Sequence, residues 1–510
     1  MHKSLFHRLN HLKVILFQNN IALFGFLALI ITLCILVSPS IFISRMQQQD
    51  PPLIQQLWPK QTAVLSQQPE ATDNNNNNIP APTVEDSDLE VELVTDGLES
   101  PTSMAFIGNH GDMLILEKSG EVILFTSENM SKISLLNLTV NDQNERGLLG
   151  VAVLNNNNNM LDLDTTAIVA NSNDQTITTR DSNSISNLTT ALPSSMPTFV
   201  FFYFTETSKE DRSQVIGNRI YRFDWNETEK SLSNGTLILD LPVLPGQNHN
   251  GGKLVADSEN GHIYAVIGDL NRKGMLQNFK NGSLPDDTSV ILRINPDGSP
   301  AQENPFLNVS RTEDSYSNLS KYYAYGIRNS FGLAIDPVTG ILWDTENGPD
   351  GFDEINIVRP GFNSGWAIVM GPIESSNVTS ENDLVNFLGS SSYADPVFSW
   401  GRAVGVTDIE FYNSDKLGND YTNDIFVGDA NNGHLYFFEV NEDRSGLQFE
   451  HPRLADDLVA SNDEQRAAVT FGTGFPSSIT DVETGPDGYL YVLTFHPTMG
   501  SISRILPQEE

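Results

Sequence analysis

The chain has 510 residues, with 29 basic against 65 acidic side chains and a formal net charge of −36 at pH 7. Such a surface repels nucleic acid and anionic lipid, so no nucleic-acid partner is expected. Its one cysteine, Cys34, lies in an apolar N-terminal segment, so the remainder forms no disulfide, and a domain of this length buries enough core without one.

The first 45 residues hold no acid, and Lys3, Arg8 and Lys13 precede an apolar run over residues 21–43. That run has the ~20-residue length needed to cross a bilayer, and the basic flank before it places the N-terminus in the cytoplasm. It exceeds the ~7–15-residue apolar region of a cleaved signal peptide, and no small-x-small site stands before Arg45. Residues 1–20 therefore read as a short cytoplasmic basic segment and 21–43 as a transmembrane signal anchor. The rest is expected outside the cytoplasm, at a cell membrane crossed once. Nine Asn-x-Ser/Thr sequons, from Asn129 to Asn377, agree with export.

Residues 44–88 are rich in Gln, Pro and Asn and lack periodic apolar positions, which reads as a flexible, disordered stalk. Residues 155–197, mostly Asn, Ser, Thr and Asp, interrupt an apolar pattern and read as a disordered surface insertion. The rest of 89–506 repeats short strand, Gly-containing turn, short strand. Instances are Met113-Leu-Ile-Leu, Phe201-Phe-Tyr-Phe, Ile263-Tyr-Ala-Val-Ile, Ile341-Leu-Trp, Ile425-Phe-Val and Tyr489-Leu-Tyr-Val. These β-branched and aromatic runs, without helical periodicity, predict an all-β domain. Six signals fit six four-stranded blades about an axis, although the pattern alone leaves six and seven blades open.

Two loops carry candidate chemistry. In Gly246-Gln-Asn-His249-Asn-Gly-Gly-Lys253 a histidine sits among glycines, where it approaches a ligand closely, and Asp269 follows twenty residues later at the end of the next strand. An aspartate on one imidazole nitrogen fixes the tautomer and raises the basicity of the other. On residue type alone, a loop histidine bonded to backbone is the commoner outcome. The second stretch runs Tyr323-Ala-Tyr-Gly-Ile-Arg328-Asn329-Ser-Phe-Gly, then Trp343-Asp-Thr-Glu-Asn-Gly348-Pro349-Asp-Gly-Phe-Asp353-Glu354-Ile-Asn.

These motifs resemble the glucose/sorbosone dehydrogenase family, soluble quinoproteins that oxidise aldose sugars with pyrroloquinoline quinone (PQQ). The resemblance spans about residues 90–506 and implies a six-bladed β-propeller. It makes His249 the base that takes the anomeric hydroxyl proton while hydride passes to the quinone, with Asp269 behind it. It also makes Arg328 a catalytic and cofactor-binding residue and Asn329 a further cofactor contact. The carbonyls of Gly348 and Pro349 would hold calcium. Asp353 and Glu354 read as turn acids, and Glu145-Arg146-Gly147 as architectural.

PQQ carries three carboxylates and calls for several cations. Where the family has a lysine and two arginines, this chain places Asn431, Ser478 and Thr480. Lys253, Arg402 and Arg466 are candidate substitutes. The reading that follows is a membrane-anchored, extracytoplasmic PQQ-dependent aldose dehydrogenase, with calcium, a sugar substrate, an unidentified electron acceptor, and the membrane as a partner through the N-terminal helix. The alternative is a non-catalytic extracellular propeller that binds a glycan or protein and retains calcium. A calcium-dependent lactonase is a third reading.

Overall fold

Strands form where the β-branched and aromatic runs fall. Thr198–Thr207 is buried along its middle, with Phe201, Phe202 and Tyr203 fully inaccessible, and Asp424–Asp429 is buried throughout. A strand buried on both faces packs against neighbours on each side. The computed structural model describes residues 81–108, 110–155, 198–272, 278–280, 282, 284–312, 314–376 and 380–508.

The strands gather into six sheets. Their first strands are Pro101–Ile107, Leu148–Leu154, Leu254–Asp257, Ser330–Ile335, Val406–Tyr412 and Ser478–Thr484. Each of these packs beside its counterpart in the next sheet, and the last packs against the first, so they close a ring about an axis. Six apolar clusters fill the spaces between successive sheets. The one holding Leu98, Met104 and Leu493 joins the sixth sheet to the first. That seam is also closed by the chain itself, because Leu89–Leu98 pairs antiparallel with Gly500–Pro507.

The expected architecture is corrected in several respects. Blades are not uniformly four-stranded: three sheets have four strands, one has five and two have six. The extra strands are short additions such as Phe362–Asn363 and Ser392–Tyr393, which continue the third sheet in parallel. Ordered structure also begins earlier than residue 89, since Thr83–Val84 pairs with Thr473 and Gly472.

The transmembrane anchor is likewise not upheld. Among the described residues no helix is long and apolar enough to cross a membrane. The α-helices Leu307–Thr312 and Pro452–Asp457 have six residues each. Segments 1–20 and 21–43, most of 44–88 and nearly all of 155–197 lie outside the described residues. The membrane-anchored function, the single-pass cell-membrane localisation and the membrane partnership therefore have no helix among the described residues to rest on and are set aside.

Candidate functional site at the ends of the inner strands

The ring gathers one set of loops. Glu145 precedes the inner strand of the second sheet, His249 that of the third, Arg328 and Asn329 that of the fourth, and Gly405 that of the fifth. Asp269, Gly348 and Asn431 follow the second strands of their sheets. Those strands run antiparallel to the inner ones, so these residues return to the same end of the axis.

His249 takes a backbone φ of +60° between Asn248 and the positive-φ glycines Gly251 and Gly252. Its N–H donates to Glu145 Oε2 at 2.6 Å. Its Nδ1 lies 2.6 Å from Asp269 Oδ1, and the imidazole keeps 14% of its surface exposed while Asp269 keeps 1%. Asp269 Oδ1 also accepts from the Asn271 N–H at 2.9 Å, and Oδ2 accepts from Trp366 Nε1 at 2.9 Å. Gly268 allows these segments to meet: a Cβ there would stand 2.6 Å from the His249 carbonyl oxygen and 2.7 Å from that of Arg328. With Asp269 accepting from Nδ1, the lone pair of the neutral ring is on Nε2.

Arg328 donates its backbone N–H to Glu346 Oε1 at 2.6 Å and its Nη1 to the Asn347 carbonyl at 2.7 Å. Its guanidinium carbon sits 5.3 Å from the Trp366 ring centroid, and its buried Nε has no partner among the described residues. Burial pulls this guanidinium below its usual pKa, opposed by Asp269, Glu145, Glu346 and Asp353. Asn329 bridges the loops, donating to Glu145 Oε2 at 3.1 Å and accepting from the Gly251 N–H at 3.2 Å.

Gly348 donates its N–H to Asp353 Oδ1 at 2.8 Å. Asp353 Oδ2 accepts from the N–H groups of Val404, Gly405 and Val406. Asp353 thus spends both oxygens on backbone donors and fixes the Gly348–Pro349 turn against the loop entering the fifth sheet. Glu354 accepts from the Gly371 N–H and from Asn356 Nδ2, so it too satisfies donors. Beneath Arg328, burial pushes Glu346 up to about 7. For calcium, the turn offers the right chemistry, hard carbonyl oxygens on a fixed loop. Neither the Gly348 nor the Pro349 carbonyl accepts a hydrogen bond among the described residues.

The flank expected to hold carboxylates differs. Asn431 is exposed, and Ser478 Oγ donates to the Ala430 carbonyl at 2.7 Å, so these two residues are neighbours. Thr480 Oγ1 donates to the Pro101 carbonyl at 3.2 Å, away from that pair. None brings a charge. Lys253 does not substitute: its Nζ lies 2.8 Å from both Asp408 Oδ2 and Asp481 Oδ1, and 3.8 Å from Glu483 Oε1. Burial lowers its pKa, but these three carboxylates outweigh burial and hold it well above the usual value. Arg466 pairs with Asp463 at 3.0 Å, and Arg402 is exposed. The residues present therefore do not fit the carboxylate end of PQQ.

Sequence reasoning read Glu145 as architectural and Lys253 as a candidate cation for the cofactor, and it missed Trp366 and the carboxylate partners of Lys253. The local signal was the Glu145-Arg146-Gly147 segment, and its Arg146 Nη2 donates to the carbonyls of Val243 and Gly246 and supports the His249 loop. Asp408, Asp481 and Glu483 each offer one oxygen, all within 4.8 Å of one another, as a metal would require. The Lys253 ammonium already lies among them.

A closed ring of sheets with a histidine–aspartate pair and a buried arginine at one end defines a β-propeller with a polar site at the end of its axis. Residues 175–504 match the family described as Glucose / Sorbosone dehydrogenase, and the chain belongs to that family. It is 30% identical over 273 residues to the aldose sugar dehydrogenase of Escherichia coli strain K12, covering 54% of this chain and 64% of that protein. The chain thus aligns with just under two thirds of that relative. Among solved structures, it resembles a putative oxidoreductase (glucose dehydrogenase) from Thermus thermophilus, with TM-score 0.57 and 24% identity over 82% of this chain and all of that one. It also resembles the PQQ-bound aldose sugar dehydrogenase of Streptomyces coelicolor, with TM-score 0.53 and 20% identity over 83% of this chain and all of that one. At these identities the structural likenesses show the fold.

Proposed function

We propose that this propeller binds a sugar at the end of its axis, with one ligand hydroxyl donating to Nε2 of His249 and calcium held by the carbonyls of Gly348 and Pro349. The observation that carries this reading is the 2.6 Å contact between His249 Nδ1 and Asp269 Oδ1. It aims a polarised acceptor outward, and sugars are dense in hydroxyl donors. A neutral polyol also suits a site where Glu145, Asp269, Glu346 and Asp353 surround one arginine. Calorimetric titration of the calcium-loaded protein with a panel of aldoses tests it. At least one sugar is expected to bind, and His249→Ala to weaken it about tenfold, the upper worth of one neutral hydrogen bond. No binding across the panel overturns the reading.

A second reading, a PQQ-dependent aldose dehydrogenase, is favoured by the unpartnered Arg328 Nε, a buried cation donor awaiting an acceptor oxygen. Here His249 would accept a hydrogen bond from the sugar hydroxyl, Asp269 would hold its ring, and the Arg328 guanidinium would face an acceptor oxygen of the cofactor. Sugar-dependent dye reduction on adding PQQ and calcium decides between the two readings. A lactone hydrolysis assay on the same protein separates the lactonase reading.

A further inference from the structure

We propose that Trp366 is the positioning residue of this site, holding the Asp269 carboxylate in the rotation that presents Oδ1 to His249 while its ring carries Arg328. The inference rests on the sugar-binding reading for its effect on affinity, but not for its structural content. An aspartate carboxylate turns about a broad, roughly two-fold torsion, so backbone position alone does not fix its oxygens. Here Oδ1 receives His249 and the Asn271 N–H, and Oδ2 receives Trp366 Nε1 at 2.9 Å. Donors on both oxygens select one rotation. The indole donates to a carboxylate that is 1% exposed, where a hydrogen bond to charge is strong.

The same side chain reaches the second charged group. Arg328 lies over the Trp366 ring, its guanidinium carbon 5.3 Å from the centroid, within cation–π range. One residue thereby sets the spacing between the histidine–aspartate pair and the buried cation.

The backbone of Trp366 is itself clamped. Its N–H donates to the Gly326 carbonyl at 3.0 Å, and its carbonyl accepts from Asn278 Nδ2 at 3.0 Å. Asn278 and Asn363 exchange amide hydrogen bonds of 2.9 and 2.8 Å, each 1% exposed. Gly326, at φ +76°, leaves room for that pair, because a Cβ there would meet Asn363 Oδ1 at 2.4 Å. These anchors fix where the side chain starts, and the Nε1 bond to Asp269 fixes where it ends.

Trp366→Phe keeps a ring beneath Arg328 and removes the N–H. It is expected to weaken sugar binding about tenfold and to shift the downfield Nδ1–H proton resonance of His249. In an Asp269→Ala background the same change should add less than about twofold, because it acts through Asp269. Should Trp366→Phe fold poorly, benzothienylalanine at 366 preserves the shape and removes only the donor. Full additivity with Asp269→Ala, or an unshifted His249 resonance in either variant, overturns the proposal. If wild type binds no sugar, the functional reading fails, and the resonance still decides this one.

Discussion

The two flanks at this end of the axis are built from the same kind of loop, yet they treat charge in opposite ways. On the His249 flank the charged groups meet fixed partners: Glu145 of the second sheet holds the His249 N–H, while Asp269 holds its ring and Glu346 the Arg328 N–H within their own sheets. On the Asn431 flank short neutral side chains are spent on backbone carbonyls, as Ser478 is on Ala430 and Thr480 on Pro101. The buried ammonium nearby, Lys253, serves Asp408 and Asp481. Orientation of a hydroxyl has been kept, while recognition of a multiply anionic cofactor has not been built from these positions. Family membership therefore describes the first flank better than the second.

The largest expected effect comes from breaking the assignment of Lys253. Its ammonium ties the third sheet to Asp408 of the fifth and Asp481 of the sixth, and Asp481 Oδ2 takes the Met104 N–H of the first. Lys253→Met leaves these carboxylates buried without their cation, which should cost about 3–5 kcal/mol in denaturant unfolding. Were Lys253 instead a free ligand-binding cation, the loss would stay within about 0.5 kcal/mol.

Distance along the chain explains what the sequence revealed. Each strand signal is a local run, and the six runs beginning near Met113, Phe201, Ile263, Ile341, Ile425 and Tyr489 fall in six different sheets. His249, Asp269, Arg328 and Asn329 were legible because their loops have distinctive local composition. Lys253 was not, since its partners stand 155 and 228 residues away and nothing near Asp408 or Asp481 announces a lysine. Trp366 reaches Asp269 across 97 residues, and Glu145 reaches His249 across 104. The short parallel additions to the third sheet escaped as well, because two-residue strands such as Phe362–Asn363 carry no periodicity. The apolar run at 21–43 met the length criterion for a membrane span, and it lies outside the described residues.

The contrast between flanks can be sharpened by restoring charge. Asn431→Lys, Ser478→Arg and Thr480→Arg together should tighten PQQ binding at least tenfold, since one charge-assisted bond is worth about 1.5 kcal/mol or more. Equilibrium titration in the presence of calcium measures it, with wild type expected to bind weakly or not at all. Much of the gain should come from the two adjacent sites, Asn431 and Ser478, because Thr480 points its hydroxyl toward Pro101. Tight binding by wild type would mean that other donors grip the cofactor. A folded triple variant that gains nothing would place the difference between the flanks deeper than charge.

The smallest effect concerns the axis cluster itself, which carries more carboxylates than Lys253 can balance. Glu410 accepts from the Thr484 N–H at 3.0 Å and from its hydroxyl at 2.6 Å. Burial nevertheless pushes Glu410 up to about 7, with Asp481 adding to the rise and Thr484 and Lys253 opposing it. The folded protein therefore keeps a proton that the unfolded chain releases near the ordinary value of 4.5. Because the native state then binds more protons, stability falls as pH rises from about 4.5 to about 7 and levels off above it. Asp408 and Glu483, both raised by burial, act in the same direction. Glu410→Gln removes one titrating group while keeping an acceptor for Thr484, so the loss of stability between pH 5 and pH 8 should shrink by about 1 kcal/mol, less than the ~2.5 kcal/mol of a fully buried group because Glu410 is half-buried. Urea unfolding at the two pH values reads the difference. An unchanged difference would show that Lys253 already keeps Glu410 ionised, and that the axis is balanced as fully as the His249 flank.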